Sequence, residues 1–163
     1  MNRIFSIMAS EFFRPHVQQF QKKGLLLYHR RLMEKYFDFI QYSFDGNVLV
    51  CRGKVEDTLY KYKYEFEIRC VAGASPYCKI IEPADIIPSV DIHMYDDHSV
   101  CLFFPPDLKW NGMTPLYKLT IPWLFEWIHF YELYLVNGFK WEGRESPFHI
   151  TEADKDICED RDD

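Results

Sequence analysis

Tyr60-Lys61-Tyr62-Lys63-Tyr64-Glu65-Phe66-Glu67-Ile68-Arg69-Cys70 alternates without a break, with rings, Ile and Cys on one parity and charges on the other. A strict period of 2 over this length is a strand with one dry face and one wet face. A wet face points to an antiparallel sheet, because parallel sheets are usually covered on both sides. Upstream, Asp45-Gly46 is a turn signal, and Val48, Val50 and Arg52 alternate with Leu49, Cys51 and Gly53 in a shorter strand. Downstream, Tyr77 to Ile81 reads as a third strand ended by Glu82-Pro83. Before the strands, Leu25, Leu26, Leu27, Leu32, Met33, Tyr36, Phe37 and Ile40 recur at spacings near 3 and 4, an amphipathic helix from about Gln18 to Phe39 with Gly24 as a break. After them, Thr120-Ile121-Pro122 reads as an N-cap followed by an early-turn proline, Leu124, Trp127, Ile128, Tyr131 and Leu135 follow at helical spacing, and Asn137-Gly138 is a stop. Between lies Asp91 to Asn111, with Pro105-Pro106 and no sustained periodicity, and a long loop in a compact domain is usually functional. The expectation is an α+β fold: helix, an antiparallel meander of three to four strands, a long loop, then a helix.

Composition bounds the rest. The 163 residues suit one domain, expected over 1–151, followed by an acidic tail, 152–163, that reads as disordered. The tail holds seven acids against Lys155 and Arg161, so it carries five of the six net negative charges and leaves the body nearly neutral. A neutral body has no basic footprint for direct nucleic-acid binding. Met1 to Ser10 lacks the apolar run of a secretory leader. Ile121 to Val136 is interrupted by Glu126, His129 and Glu132 and falls short of the roughly 20 apolar residues of a membrane span. The expectation is a cytoplasmic protein without membrane contact. Aromatic residues, 18% of the chain, imply a core of wide rings whose hydroxyls and indole N–H groups need partners.

Five cysteines, at 51, 70, 78, 101 and 158, form no Cys-x-x-Cys pair and have no histidine at short ligand spacing, so neither a disulfide framework nor a zinc site is expected. Cys51 and Cys70 lie in strands and Cys78 at a strand start, where a thiol is core material. Cys158 sits among carboxylates that disfavour a thiolate. Cys101 stands apart: His93, Asp96, Asp97 and His98 precede it within the long loop and could supply the setting of a reactive thiolate, although a Cys between Val100 and Leu102 could equally be a buried strand residue. His98 is either a base or a solvated loop residue, and His149 either returns to the same surface or packs. The Trp and Tyr residues from Trp110 to Trp141 read as core that positions the Cys101 loop.

The order of elements, with one cysteine on the long loop, resembles the ubiquitin-conjugating enzymes. More specifically, His93 to His149 resembles their divergent bacterial branch from anti-phage operons with cyclic-oligonucleotide signalling (CBASS). The resemblance is carried by His93, Cys101-Leu102-Phe103, Trp110, Ile121-Pro122-Trp123, Glu126-Trp127, Tyr131-Glu132, Gly138, Trp141 and Gly143. It implies that Cys101 is the nucleophile that takes an acyl group as a thioester. Typical members carry a His-Pro-Asn motif whose Asn supports the oxyanion eight residues before the cysteine. That offset holds His93 here, which could replace the amide donor, brace the loop or mark a narrower reaction. Residues Arg144 to Phe148 also depart from the shorter, Gly-richer stretch of related sequences.

The resemblance further implies that the acyl donor is the C-terminus of the operon's cyclic-oligonucleotide synthase (CD-NTase), and that conjugation regulates second-messenger synthesis without a metal or organic cofactor. No Gly-rich phosphate loop of an adenylating domain is present, so activation needs a separate activating enzyme or another route. Two other readings stay open from the residues alone. One is a non-catalytic partner-binding module on the same fold. The other is a cysteine hydrolase using Cys101 with His98 or His149 and Asp96 or Asp97.

Overall fold

The computed structural model describes residues 21–103, 108–111 and 113–143. The tail, His149, Arg144 to Phe148, Cys158, Pro105-Pro106 and the start of the first helix at Gln18 lie outside the described residues. Residues 21–36 are helical (α1) and are followed by four strands: β1 (Gln41–Asp45), β2 (Val48–Val55), β3 (Tyr64–Val71) and β4 (Tyr77–Glu82). A 3-10 turn (Val90–Ile92) and a long helix, α2 (Leu116–Val136), complete the order. The strands form one antiparallel meander in the order β1-β2-β3-β4. The fold is α+β, as the sequence pattern predicts.

In β3 the alternation does what its period requires. Tyr64, Phe66, Ile68 and Cys70 are buried, and with Leu49 and Cys51 of β2 and Cys78 and Ile80 of β4 they form the sheet's share of the core. The opposite parity builds a ladder of cross-strand ion pairs: Arg52 with Glu67 at 2.6 Å, Arg69 with Asp45 at 2.6 Å, and Lys54 with Glu65. Each such exposed pair adds about 0–1 kcal/mol, so the ladder fixes register more than it stabilises. Gly53 faces Phe66 across the β2–β3 pairing, and a Cβ there would stand 2.5 Å from Phe66 Cζ and 3.2 Å from Ile40 Cγ1. The missing side chain is what lets the Phe66 ring lie across the sheet beneath Phe125, at a centroid distance of 6.1 Å.

The helices cover the dry face. From α1, Leu26, His29 and Met33 point inward at spacings of 3 and 4, whereas Leu27 and Tyr36, expected on that stripe, are exposed. Tyr36 instead stacks on Tyr117 of α2 at 4.8 Å. The helix runs through Gly24 without the expected break. From α2, Leu116, Thr120, Ile121, Leu124, Trp127, Ile128, Tyr131 and Glu132 are buried.

β1, at the edge of the sheet, is the fourth of the expected three to four strands. Two boundaries differ from the sequence expectation. β3 starts at Tyr64 and not Tyr60, because the Glu132 carboxylate captures the backbone N–H groups of Lys61 at 2.8 Å and Tyr62 at 3.2 Å. α2 begins at Leu116, with Pro115 in the N-cap position accepting from Lys118 and Leu119 at 3.1 and 3.2 Å, so Pro122 lies inside the helix and Thr120 is not its cap. An interior proline costs about 3 kcal/mol, which the burial of Ile121 and Leu124 on either side offsets. The C-terminal stop falls where expected: Gly138 takes φ 82° and the Phe139 N–H donates back to Tyr134 O at 3.0 Å, a Schellman closure.

Candidate functional site

Residues 93–101, expected inside an aperiodic loop, form a tight hairpin laid on the outer edge of β4. Met94 and Val100 pair as an antiparallel bridge with both side chains in the core. The Tyr95 N–H donates to Ser99 O at 2.8 Å and the His98 N–H to Tyr95 O at 2.8 Å, so Asp96, Asp97 and His98 make a three-residue loop. Such loops need a left-handed residue at their last position. His98 fills it with φ 63°. The returning strand adds to the sheet: Ile80 N–H donates to His98 O at 3.1 Å and Val100 N–H to Cys78 O at 2.9 Å.

Asp97 locks this attachment. Its carboxylate accepts from the Ser99 hydroxyl at 2.5 Å, the Ser99 amide at 2.9 Å and the Tyr77 hydroxyl of β4 at 2.7 Å. The Ser99 bonds first, then the Tyr77 bond, hold its carboxyl at about 2. A depressed carboxyl keeps its bonds above the ordinary value of 3.8 and loses them as pH falls through about 2. The Ser99 amide resonance is therefore expected to titrate with a midpoint near 2 in an NMR pH series, and a midpoint near 4 would contradict the brace. Asp97 is thus engaged in fastening the hairpin.

The base of the hairpin is fastened from α2. The Trp127 indole N–H donates to Ile92 O at 2.7 Å, and Trp127 stacks on Tyr131 at 5.3 Å. His93, buried and left-handed at φ 54°, donates its N–H to Val90 O at 3.0 Å, and its ring lies 5.3 Å from Trp141. Its carbonyl accepts the Cys101 N–H at 2.9 Å, so His93 and Cys101 face each other across the hairpin base. Beyond Cys101, the Phe103 ring sits 5.6 Å from Trp110 and 5.9 Å from Trp123. The tryptophans therefore position the cysteine segment from both sides, as the sequence implies.

Cys101 is half-buried, whereas Cys51, Cys70 and Cys78 are buried. Burial pushes the Cys78 thiol up, and a hydrogen bond to Cys70 followed by burial does the same for Cys51, so both stay protonated and inert. The Cys101 thiol donates weakly to Phe103 O at 3.5 Å. The neighbouring Cys101 side chain first, then burial, raises the Tyr95 hydroxyl above its ordinary value. Of the expected site residues, the fold brings His93 and Cys101 together and puts His98 at the hairpin bulge. Among the described residues no hydrogen bond joins the His98 ring to Cys101.

Among the described residues, no group of three or more His, Cys, Asp and Glu is placed to hold a metal, and no helix is long and apolar enough to cross a membrane. No curated protein matches the chain. The family described as "Type II CBASS E2 protein" matches residues 29–149, a span that contains the whole sheet, the cysteine hairpin and α2. That span is well over half of the 163 residues, and the chain belongs to the type II CBASS E2 proteins.

Proposed function

We propose that this protein is a cytoplasmic acyl transferase of the ubiquitin-conjugating type, which carries the C-terminal acyl group of the operon's CD-NTase as a thioester on Cys101 and passes it to an acceptor amine. The observation that carries this reading is the contrast among the thiols: Cys101 is half-buried on a segment fastened by β4 and by α2, and the three strand cysteines are buried. In the first step the Cys101 thiolate attacks the carbonyl of a carboxyl activated by a separate enzyme, and the activating group leaves. In the second, the acceptor amine attacks the thioester carbonyl, the C–S bond breaks, and the thiolate departs while the amine gives up its proton. A thiolate is a good nucleophile and a good leaving group, so no metal or organic cofactor is required. In this reading His93, at the offset where the wider family carries Asn, supports the oxyanion, where one such donor is worth about 3 kcal/mol. His98, half-buried at the hairpin bulge, takes the amine proton.

Co-expression with the operon's synthase tests the donor. A thiol-labile adduct on non-reducing gels, lost when the last residues of the synthase are deleted, is expected. An intact complex with no adduct would replace the transferase by a binding module, and rapid release of free synthase without an acceptor would replace it by a hydrolase.

A further inference from the structure

We propose that Trp141 is a positioning residue for the His93 imidazole, and that Gly143 is the clearance that lets its indole close against that ring. The catalytic consequence rests on the reading above, in which His93 supports the oxyanion; the contact between the two rings does not. The backbone of His93 is set by its own N–H to Val90 O at 3.0 Å, by its carbonyl accepting from Cys101 N–H at 2.9 Å and by φ 54°. Those features fix where the side chain starts. The direction of the imidazole depends on what it lies against, and there the Trp141 indole stands with ring centroids 5.3 Å apart and planes at 39°. A change of rotamer well moves a ring nitrogen further than a hydrogen bond tolerates, so a wall beside the ring decides whether it reaches an acyl oxygen.

Trp141 is itself held by packing. Its indole lies 6.4 Å from Trp127 and 6.0 Å from Phe130, both on α2, and its buried N–H finds no acceptor among the described residues. Trp127 is the fixed point, because its own indole N–H is bonded to Ile92 O at 2.7 Å. Trp127 thus holds the main chain at Ile92, and Trp141 lies against the side chain of the next residue. The Gly143 backbone lies against the same indole: a Cβ there would stand 2.7 Å from Trp141 Nε1, 2.9 Å from Cε2 and 3.0 Å from Cζ2. Carbon atoms pack at about 3.5–4.0 Å, so a methyl at 143 forces the indole and the Gly143 backbone apart. With no hydrogen bond anchoring it, the indole is expected to shift against His93.

The test uses the full chain with Gly143→Ala, Trp141→Phe and Trp141→Leu, and takes two readings. The first is the NMR position of the His93 imidazole C–H resonances, which sense the ring current of an adjacent indole. They are expected to move in Trp141→Leu and also in Gly143→Ala, where neither ring is altered, while the methyl resonances of Met94 and Val100, buried beside the hairpin base, stay in place. The second is discharge to free lysine of the Cys101 adduct made by co-expression with the operon's synthase. Trp141→Leu is expected to lower the rate constant at saturating lysine by about 10- to 100-fold with the half-saturating lysine concentration unchanged, and Trp141→Phe, which keeps a ring against His93, to recover most of it. His93 resonances that keep their wild-type positions in both Trp141→Leu and Gly143→Ala would overturn the proposal. So would a displacement that includes Met94 and Val100, which would make Trp141 a structural residue only, or wild-type discharge by Trp141→Leu where His93→Ala is slow. If His93→Ala also discharges at the wild-type rate, or no adduct forms, the oxyanion or acyl-carrier reading falls, while His93 resonances that move as expected still assign Trp141 to that ring.

Discussion

Cys101→Ala is expected to lose all adduct formation with the synthase while keeping a melting temperature within about 3 °C of wild type. The two outcomes separate because the thiol does almost nothing for the fold. It is half-buried, and its thiol makes a weak bond to Phe103 O at 3.5 Å. That bond contributes no more than about 1 kcal/mol, and its loss leaves no deeply buried group unpaired. The segment itself stays in place, since Cys101 N–H to His93 O, Val100 N–H to Cys78 O and Trp127 Nε1–H to Ile92 O do not involve the side chain. Adduct in Cys101→Ala would move the nucleophile elsewhere; a large drop in melting temperature would make Cys101 a core residue after all. Differential scanning fluorimetry and a non-reducing gel on the same sample read both.

Glu132→Ala is expected to be the most damaging single polar substitution away from the cysteine. Glu132 is buried on α2, and its two oxygens accept from Lys61 N–H at 2.8 Å, Tyr62 N–H at 3.2 Å and the Tyr64 hydroxyl at 2.5 Å. Burial, then the bond to Glu132, pushes the Tyr64 phenol up, so it remains a donor at any ordinary pH. Removing the carboxylate strands the fully buried Tyr64 hydroxyl and frees two backbone donors that only partly reach water. The cost is about 3–4 kcal/mol, or roughly 10 °C for a chain of this size. Glu132→Gln keeps an acceptor oxygen in the same shape and is expected to lose less than half of that. An alanine variant within about 1 kcal/mol of wild type in urea unfolding would show that water or a rearranged loop satisfies the three donors.

The residues that made the fold legible are those whose pattern repeats. Tyr64 to Cys70 alternates strictly, and its dry parity is the buried parity in the sheet. Gly138 stops α2 where its left-handed backbone is needed. What escaped the sequence depended on contacts made far along the chain. Tyr60 to Lys63 alternate as well as Tyr64 to Cys70 do, yet they leave the ladder because a carboxylate some seventy residues away takes their amides. β1 is short and lies at the sheet's edge, with residues that are at most half-buried, so its alternation is faint. Pro122 looked like the start of a helix because an isolated sequence cannot show that Ile121 and Leu124 hold it in the interior of one.

The site divides the same way. That Cys101 stands apart from the buried strand cysteines, with tryptophans packed beside its segment, could be read from residue type and pattern. The hairpin that carries the cysteine could not be read, because its left-handed position is filled by His98 and not by the glycine or asparagine that advertises such a turn. A pair of acids, Asp96 and Asp97, invited a catalytic reading, but Asp97 is engaged as a clamp on Ser99 and Tyr77.

Whether Cys101 carries the acyl group is decided by intact mass. The protein is recovered with its operon neighbours under non-reducing, mildly acidic conditions, as wild type and as Cys101→Ser. The predicted result is an adduct whose mass is that of the synthase, released from wild type by thiol or hydroxylamine and resistant to both in Cys101→Ser, where an oxygen ester replaces the thioester. An unmodified wild-type mass with the synthase still co-purifying, together with full function of Cys101→Ala in cells, would contradict it.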